Sequence, residues 1–267
     1  MIHHWQTLTA PQLAEFAQCD PVAVLVLGAI EQHGTHLPLA TDLTIGEGLQ
    51  AAMLEKLDTH LNVICLPPIA VGASDEHTSF PGTLSLPAPL AVATLEAYGE
   101  SLARAGIRRL VLLNSHGGNK AVMDLAGLTL RRRHNMRVVK ATYTRLPPLE
   151  GAIDAEELRY GLHGGLLETA MMHHLTPALV QLDGYQATPP AAPQGDALVS
   201  AEGAAAFAWL AEDLSTQGVA GDASQASAEL GERLVQHYAR QLAAVVTETA
   251  QLPPLTNQTR STSGRQL

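Results

Sequence analysis

The chain has 267 residues, 46% of them apolar and 16% charged, with 16 basic against 26 acidic side chains and a formal net charge of −10. That length suits one large α/β domain and can bury a substantial core without disulfide staples. The acidic balance argues against nucleic acid as a partner, and no apolar run of about 18 residues is present to span a membrane. Cys19 and Cys65 have no framework spacing, and Cys65, inside Val63-Ile64-Cys65-Leu66, is expected to be a buried small hydrophobe. No leader is visible at Met1-Ile2-His3-His4-Trp5, so a reducing, cytoplasmic setting is expected. The low charge fraction implies that much of the surface is covered by long loops or by neighbouring subunits, which favours a homo-oligomer.

In chain order, the first predicted strand is Val22 to Leu27, continuously apolar as a strand buried on both faces should be. A helical pattern runs from near Asp42 to about Lys56. Val63 to Leu66 is the second strand, and a helix follows over roughly Pro89 to Ala105. Leu110 to Leu113 is the third, followed by a helix from Lys120 to His134. The run Arg131-Arg132-Arg133 fits the solvated end of that helix, where cations suit the dipole. Val138 to Tyr143 is the fourth strand. Further helices are expected over Gly164 to His174 and Ser227 to Thr247, with a Pro/Ala-rich loop at Thr188 to Pro193. Strands alternating with helices imply a mostly parallel sheet with helices on both faces. In such sheets ligands bind at the carboxyl ends of the strands.

Four polar clusters each follow or neighbour a strand. From Glu31 to Asp42 the chain packs Glu31, His33, His36 and Asp42, with Gly34 and Pro38 defining a tight path. Mixed nitrogen and oxygen donors suit Zn, Mn or Fe. Asp42 alone could be a helix cap, but Glu31 and His33 at the end of a buried strand would be costly without a partner. The second strand leads into a shaped loop containing Ser74, Glu76, His77 and Phe80-Pro81-Gly82-Thr83. The third leads into Asn114-Ser115-His116-Gly117-Gly118-Asn119, which is either a Gly-rich turn with a satisfied histidine or a route for His116 into the crevice. His163-Gly164-Gly165 precedes Glu168, which could supply a carboxylate ligand beside a proton carrier. His173 and His174 fall on different helix faces and are expected to be structural. No Gly-x-Ser-x-Gly elbow supports a serine hydrolase, and no Walker or Gly-x-Gly-x-x-Gly pattern appears.

These blocks resemble the signature of the creatininase (creatinine amidohydrolase) family. Glu31-Gln32-His33-Gly34-x-His36-Leu37-Pro38 with Thr41-Asp42, Ser74-x-x-His77 with Phe80-Pro81-Gly82-Thr83, Asn114-Ser115-His116-Gly117-Gly118-Asn119, and His163-Gly164-Gly165-x-x-Glu168-Thr169 occur in the family's order. Gly218-Val219-x-Gly221-Asp222, followed by Ala226 and Gly231, is similar to its C-terminal block. The resemblance implies a three-layer α/β/α sandwich over residues 1–252, with residues 253–267 as a flexible tail. It implies one or two divalent ions, Zn foremost with Mn or Fe as alternatives, held by Glu31, His33, Asp42 and His116, with Asp42 bridging.

Creatininase has a further glutamate ligand where this chain has Gly118, and Glu168 is the candidate replacement. His163 corresponds to the family's proposed proton-transfer histidine, and Ser74, His77, Arg159 and Gly117 are expected to meet substrate. Arg159 and Gly117 stand where creatininase has Trp and Tyr, which makes creatinine itself an unsuitable substrate and favours an anionic or larger one. The implied activity is metal-dependent hydrolysis of a non-peptide or cyclic C–N amide bond in a small-molecule substrate. The alternatives are a formamide hydrolase, a precursor-peptide peptidase, or a metal-binding protein without turnover. The family often forms hexamers, so the implied assembly is a homo-oligomer of that size.

Overall fold

The computed structural model describes residues 1–183, 185–192 and 197–255. Its centre is a five-stranded parallel sheet built from β1 (Ile2–His4), β2 (Val22–Leu27), β3 (Val63–Cys65), β4 (Arg109–Asn114) and β5 (Arg137–Thr142), in the order β1-β3-β2-β4-β5. All six residues of both β2 and β4 are buried. Successive side chains of a strand alternate between faces, and here the alternation sorts the core into two layers. Val22, Val24 and Val26 pack on one side with Val111 and Leu113, while Ala23, Leu25 and Leu27 pack on the other with Leu110 and Leu112.

Helices cover both faces. The first layer holds α2 (Thr41–Leu54), α6 (Leu166–Leu175) and the long α8 (Ala228–Gln251), which place Leu49, Met53, Ala170, Met171, Leu234 and Tyr238 against the sheet. The second holds α1 (Ala10–Ala17), α3 (Ala88–Arg104) and α4 (Asn119–His134), which contribute Phe16, Leu95, Leu102, Met123 and Leu130. This is the expected three-layer α/β/α sandwich. Local chemistry sets the helix ends. Gln12 Oε1 accepts from the Thr9 N–H and hydroxyl at the start of α1, and the Ser227 hydroxyl accepts from the Leu230 N–H at the start of α8. Asn135, at φ 53°, closes α4 in the left-handed region just after the exposed Arg131-Arg132-Arg133 turn.

The four strands expected from sequence lie where their apolar runs are, within a residue or two. Sequence reasoning did not anticipate β1, α1, the short α5 (Ala155–Tyr160), α7 (Ala211–Leu214), or the two-residue strands β6 (Val199–Ser200) and β7 (Ala205–Ala206). β1 is three residues at the sheet edge and its burial pattern is mixed, so it carries little apolar signal. The loop expected at 188–193 is irregular through residue 192, and Pro193 lies outside the described residues. So do residues 256–267 of the expected tail. Pro253 and Leu255 offer carbonyls to Arg137 and Asn135. No helix among the described residues is long and apolar enough to cross a membrane.

From β2 the chain moves to β3 on one side and then returns to place β4 on the other. The strand order therefore reverses between β2 and β4, and the crevice at their carboxyl ends is the topological switch point.

Helix α6 packs directly on α8, and the approach depends on Gly231. A Cβ at this position would overlap the Ala170 carbonyl oxygen and approach His174 Cβ to 2.9 Å. Gly231→Ala should therefore destabilise the protein by about 1–3 kcal/mol despite its better helix propensity. Chemical denaturation measures this directly, and an unchanged or raised midpoint would contradict the packing.

Candidate metal centre

Two chain segments leave adjacent strands at the switch point and are tied together there. After β2, the segment 28–40 folds back on itself, with Glu31 N–H donating to Leu39 O at 2.9 Å and Gly34 turning at φ 69°. This returns the chain so that Asp42 falls in the first turn of α2. After β4, Ser115 donates its hydroxyl to Asp42 O at 2.7 Å and lies 3.2 Å from Leu27 O, locking the start of α2 to the ends of both strands. His116 follows immediately. A third segment carries His163, whose backbone pairs with Ala220 in both directions (3.1 and 2.9 Å).

The side chains that converge are Glu31, His33, Asp42, His116, His163 and Glu168. His116 Nδ1 is 3.2 Å from Glu31 Oε1 and 3.3 Å from Asp42 Oδ2. His33 Nε2 is 3.6 Å from Asp42 Oδ1 and 3.9 Å from Glu168 Oε2. Two groups with metal-binding spacing result, Glu31–Asp42–His116 and His33–Asp42–Glu168, and they share Asp42. A third group, Glu31–His33–His163, overlaps both. Glu31 is 1% exposed and Asp42 2%, yet both Glu31 carboxylate oxygens, Asp42 Oδ2 and His33 Nε2 lack a well-formed hydrogen bond among the described residues. Buried polar atoms are ordinarily paired, so this donor set fits a divalent cation bound by nitrogen and oxygen.

Hydrogen bonds behind the histidines turn their free nitrogens inward. His116 Nε2–H donates to Ala73 O at 2.8 Å, which leaves Nδ1 to face the carboxylates. His33 Nδ1–H donates to Glu31 O at 3.1 Å, which leaves Nε2 for Asp42 and Glu168. His163 Nε2–H donates to Gln32 O at 2.6 Å, and its Nδ1 lies 3.8 Å from Glu31 Oε1. Such outer contacts fix the tautomer and orientation of metal-binding histidines. The rings of His33, His163 and His77 form a stack with centroid spacings of 4.1 and 4.2 Å.

The electrostatics separate these groups. Burial disfavours a charged His33, but Asp42, Glu168 and Glu31 together outweigh it and lift the ring to about 9. Burial likewise opposes charge on His116, and Glu31 with Asp42 raise it well above the ordinary histidine value. Asp42 is held well below the usual carboxylate range because His33 and His116 overcome its burial. His163 is pushed well down by burial and by His33 and His77, while burial takes His77 down to about 4. Burial drives Glu168 up to about 7 even though His33 opposes the shift.

The structure brings Glu31, His33, Asp42, His116, His163 and Glu168 into one cluster. His77 joins them, with Nε2 3.4 Å from Glu31 Oε1. Gly117 and Arg159 line the cavity above. Ser74, expected to meet substrate, is instead fully buried behind His116, with Oγ 3.3 Å from Nε2, because the second loop packs under that ring. Gly118 leaves no room for a ligand, since a Cβ there would meet the Ala73 carbonyl and come within 2.7 Å of Glu76 Oε1.

Sequence reasoning assigned no role to Gln32, Glu157 or Trp209. Gln32 Nε2 lies 2.9 Å from His77 Nδ1 and donates to Gly218 O, which fixes the His77 tautomer. Glu157 accepts the Leu166 and Asp222 N–H groups at 2.9 and 3.0 Å, and Gly161, Gly165 and Gly221 crowd its carboxylate, pinning the segments on either side of the His163–Ala220 bridge. Trp209 lies edge-on to His77 at 6.3 Å. The glycine spacing was the one available signal for Glu157. Trp209 lies in a segment with no periodicity.

The cluster forms the floor of a cavity of about 1080 Å³. A protein-family model described as creatinine amidohydrolase matches residues 6–246. The chain is 35% identical over 219 residues to the mycofactocin precursor peptide peptidase of Mycobacterium ulcerans (strain Agy99), covering 80% of each. It is 32% identical over 194 residues to the creatinine amidohydrolase of Pseudomonas putida, covering 67% of this chain and 73% of that one. A manganese creatininase structure superposes with a TM-score of 0.74 at 28% identity, covering 94% of this chain and 99% of the other. A mutant creatininase of Zn-Zn type gives 0.73 at 28% identity, covering 94% and 98%.

A raised histidine stabilises the fold below its unfolded value, and that contribution disappears as pH rises through the folded value. In metal-stripped protein, the His33 contribution should be present below about pH 6.5 and lost by about 9, and His116 acts in the same direction. The Tm of the stripped protein should therefore fall across that window. Protein loaded with a divalent cation, which replaces those protons, should hold its Tm. Parallel melting curves for the two forms would contradict the arrangement.

Proposed function

Because the chain belongs to the creatinine amidohydrolase family and is a hydrolase of carbon–nitrogen amide bonds, we propose that it cleaves a peptide amide with the aid of two divalent cations. The observation that carries this reading is the pair of buried donor groups sharing Asp42 on the floor of a large cavity. Glu31, Asp42 and His116 would hold one cation, and His33, Asp42 and Glu168 the other. Zn or Mn suits these donors, as in the Mn and Zn-Zn creatininase neighbours, and Fe is compatible with the same set. When bound, the cations supply Lewis acidity that eases ionisation of water and polarises the amide carbonyl.

The remaining chemistry belongs to the chain. His163 is neutral with its proton on Nε2, so Nδ1 is free to accept a proton from attacking water and then return it to the leaving nitrogen. Positioned proton transfer of this kind is worth roughly 10²–10⁴-fold. The Gln32 carbonyl keeps the ring in that tautomer, and the Gly164 N–H, donating to Glu168 Oε2 at 2.7 Å, holds the Glu168 carboxylate in place. His77 presents its Nε2 to Glu31 and keeps that oxygen oriented.

Cavity size supports a peptide. Its volume of about 1080 Å³ lies just above the roughly 300–1,000 Å³ typical of drug-sized sites, more than a single small ring would fill. The mycobacterial relative named as a precursor peptide peptidase supports the same choice. The second reading, a small or cyclic amide, is favoured by the Pseudomonas putida relative. We further read residues 1–252 as one functional unit in a cytoplasmic homo-oligomer of hexameric size. Leu90, Leu125 and Leu128, exposed on α3 and α4, support subunit contacts.

Metal-loaded enzyme should hydrolyse short peptides faster than cyclic amides, and a chelator should abolish turnover. His163→Asn should lower kcat by roughly 10²–10⁴-fold with cation content unchanged. Loss of a cation in that variant would instead make His163 a ligand and overturn its role in proton transfer.

A further inference from the structure

The cavity floor is acidic, but its mouth is not. Lys120, Arg145 and Arg159 line the opening, and Glu202 is the anion among them, on the turn between β6 and β7. Lys120 sits in the first turn of α4, where the helix dipole disfavours a cation and where no acidic residue is present to compensate. Its Nζ reaches Glu202 Oε2 at 3.2 Å, and Arg145 Nη2 lies 3.9 Å from Glu202 Oε1. One carboxylate thus lies between two cations and uses both oxygens. The pairing is solvent-screened, with Glu202 42% exposed and Arg145 67%, so it is weak and exchangeable.

The turn is anchored from the inside. Ser200 Oγ donates to Glu202 O at 2.6 Å, and Trp209 Nε1 donates to Ala201 O at 3.1 Å while its ring lies edge-on to His77, with centroids 6.3 Å apart. The segment holding the carboxylate at the mouth therefore extends down to the His77 side of the floor.

We propose that Lys120 and Arg145 form a carboxylate subsite, that Glu202 fills it in the absence of substrate, and that a substrate carboxylate remote from the scissile amide displaces Glu202. This rests on the reading of the cavity as the substrate site. Lys120 and Arg145 then select substrates by a group that takes no part in the chemistry, and the displaced turn opens the mouth for the rest of the chain to enter. Arg159, stacked on Tyr160 at 4.9 Å from its ring, borders the same turn at Gly203 and adds to its positive field.

The test is calorimetric binding of three probes to metal-loaded protein: trialanine, trialanine amide, and an N-acetylated Ala-Ala-Asp amide. At least one carboxylate probe should bind about tenfold more tightly than the amide, the spacing of one charge-assisted contact. Preference for trialanine identifies a C-terminal carboxylate, and preference for the Asp probe identifies a side-chain one. Glu202→Gln should tighten the preferred probe severalfold and leave the neutral amide unchanged. The double variant Lys120→Met with Arg145→Met should abolish the preference.

Equal affinity for acid and amide, no binding of any probe, or tightening of all three alike in Glu202→Gln would overturn the subsite. Hydrolysis of the same peptides is scored separately. Cleavage without carboxylate preference keeps the peptide reading and removes the subsite. Selective binding without cleavage keeps the subsite and removes the peptide reading.

Discussion

The structure is organised around a buried excess of negative charge that its own hydrogen bonds leave incomplete. Glu31 and Asp42 sit almost fully enclosed beside Glu168, and three of their oxygens lack a well-formed hydrogen bond among the described residues. An ionised carboxylate removed from water costs several kcal/mol unless paired, while a whole domain is stable by only about 5–15 kcal/mol. Two compensations are available to these residues. Without a cation, protons on His33 and His116 balance Asp42 and Glu31. With one, as proposed above, the same nitrogens would become ligands and the protons would leave. Proton and metal would then compete for the same side-chain positions.

The fold makes this tolerable by anchoring the segments that carry the cluster to the ends of its best-buried strands. β2 and β4 are neighbours in exact register along six residues, so their ends present Gly28 and Ser115 side by side. Ser115 then bonds the first turn of α2, which carries Asp42. The backbone carbonyls of Ala73, Glu31 and Gln32 each take one histidine proton, and every remaining ring nitrogen points inward as a consequence. A rotation of any of these rings would require breaking a hydrogen bond in a place without water to replace it.

Much of this was readable from the sequence, for a physical reason. Strands buried on both faces must be continuously apolar, so β2 and β4 announce themselves, and charged residues immediately after such strands demand explanation. Glu31 and His33 were legible on that ground, whereas Asp42 and His116 entered the ligand set through the resemblance to the family's motifs. Edge elements such as β1 bury too little to leave a pattern. A motif shows which residues occur together, whereas the burial of Ser74 behind His116 depends on how two distant loops stack. Glu157 was invisible because its role is to satisfy backbone N–H groups, a task with no periodicity. Its nearest trace was the set of glycines that must stay small around it. The mouth of the cavity was half legible: Arg159 stood out by contrast with the family pattern, while Lys120 and Glu202 meet only through the third dimension.

The central claim is that side chains from three separate stretches of chain bind divalent cations through a shared carboxylate. Elemental analysis of the purified protein, alongside an Asp42→Asn variant of verified fold, tests it most directly. The account predicts two divalent cations per chain in the native protein, one for each donor group that meets at Asp42, and the loss of both in the variant. A folded native protein that carries no divalent cation and takes up none on titration would contradict it.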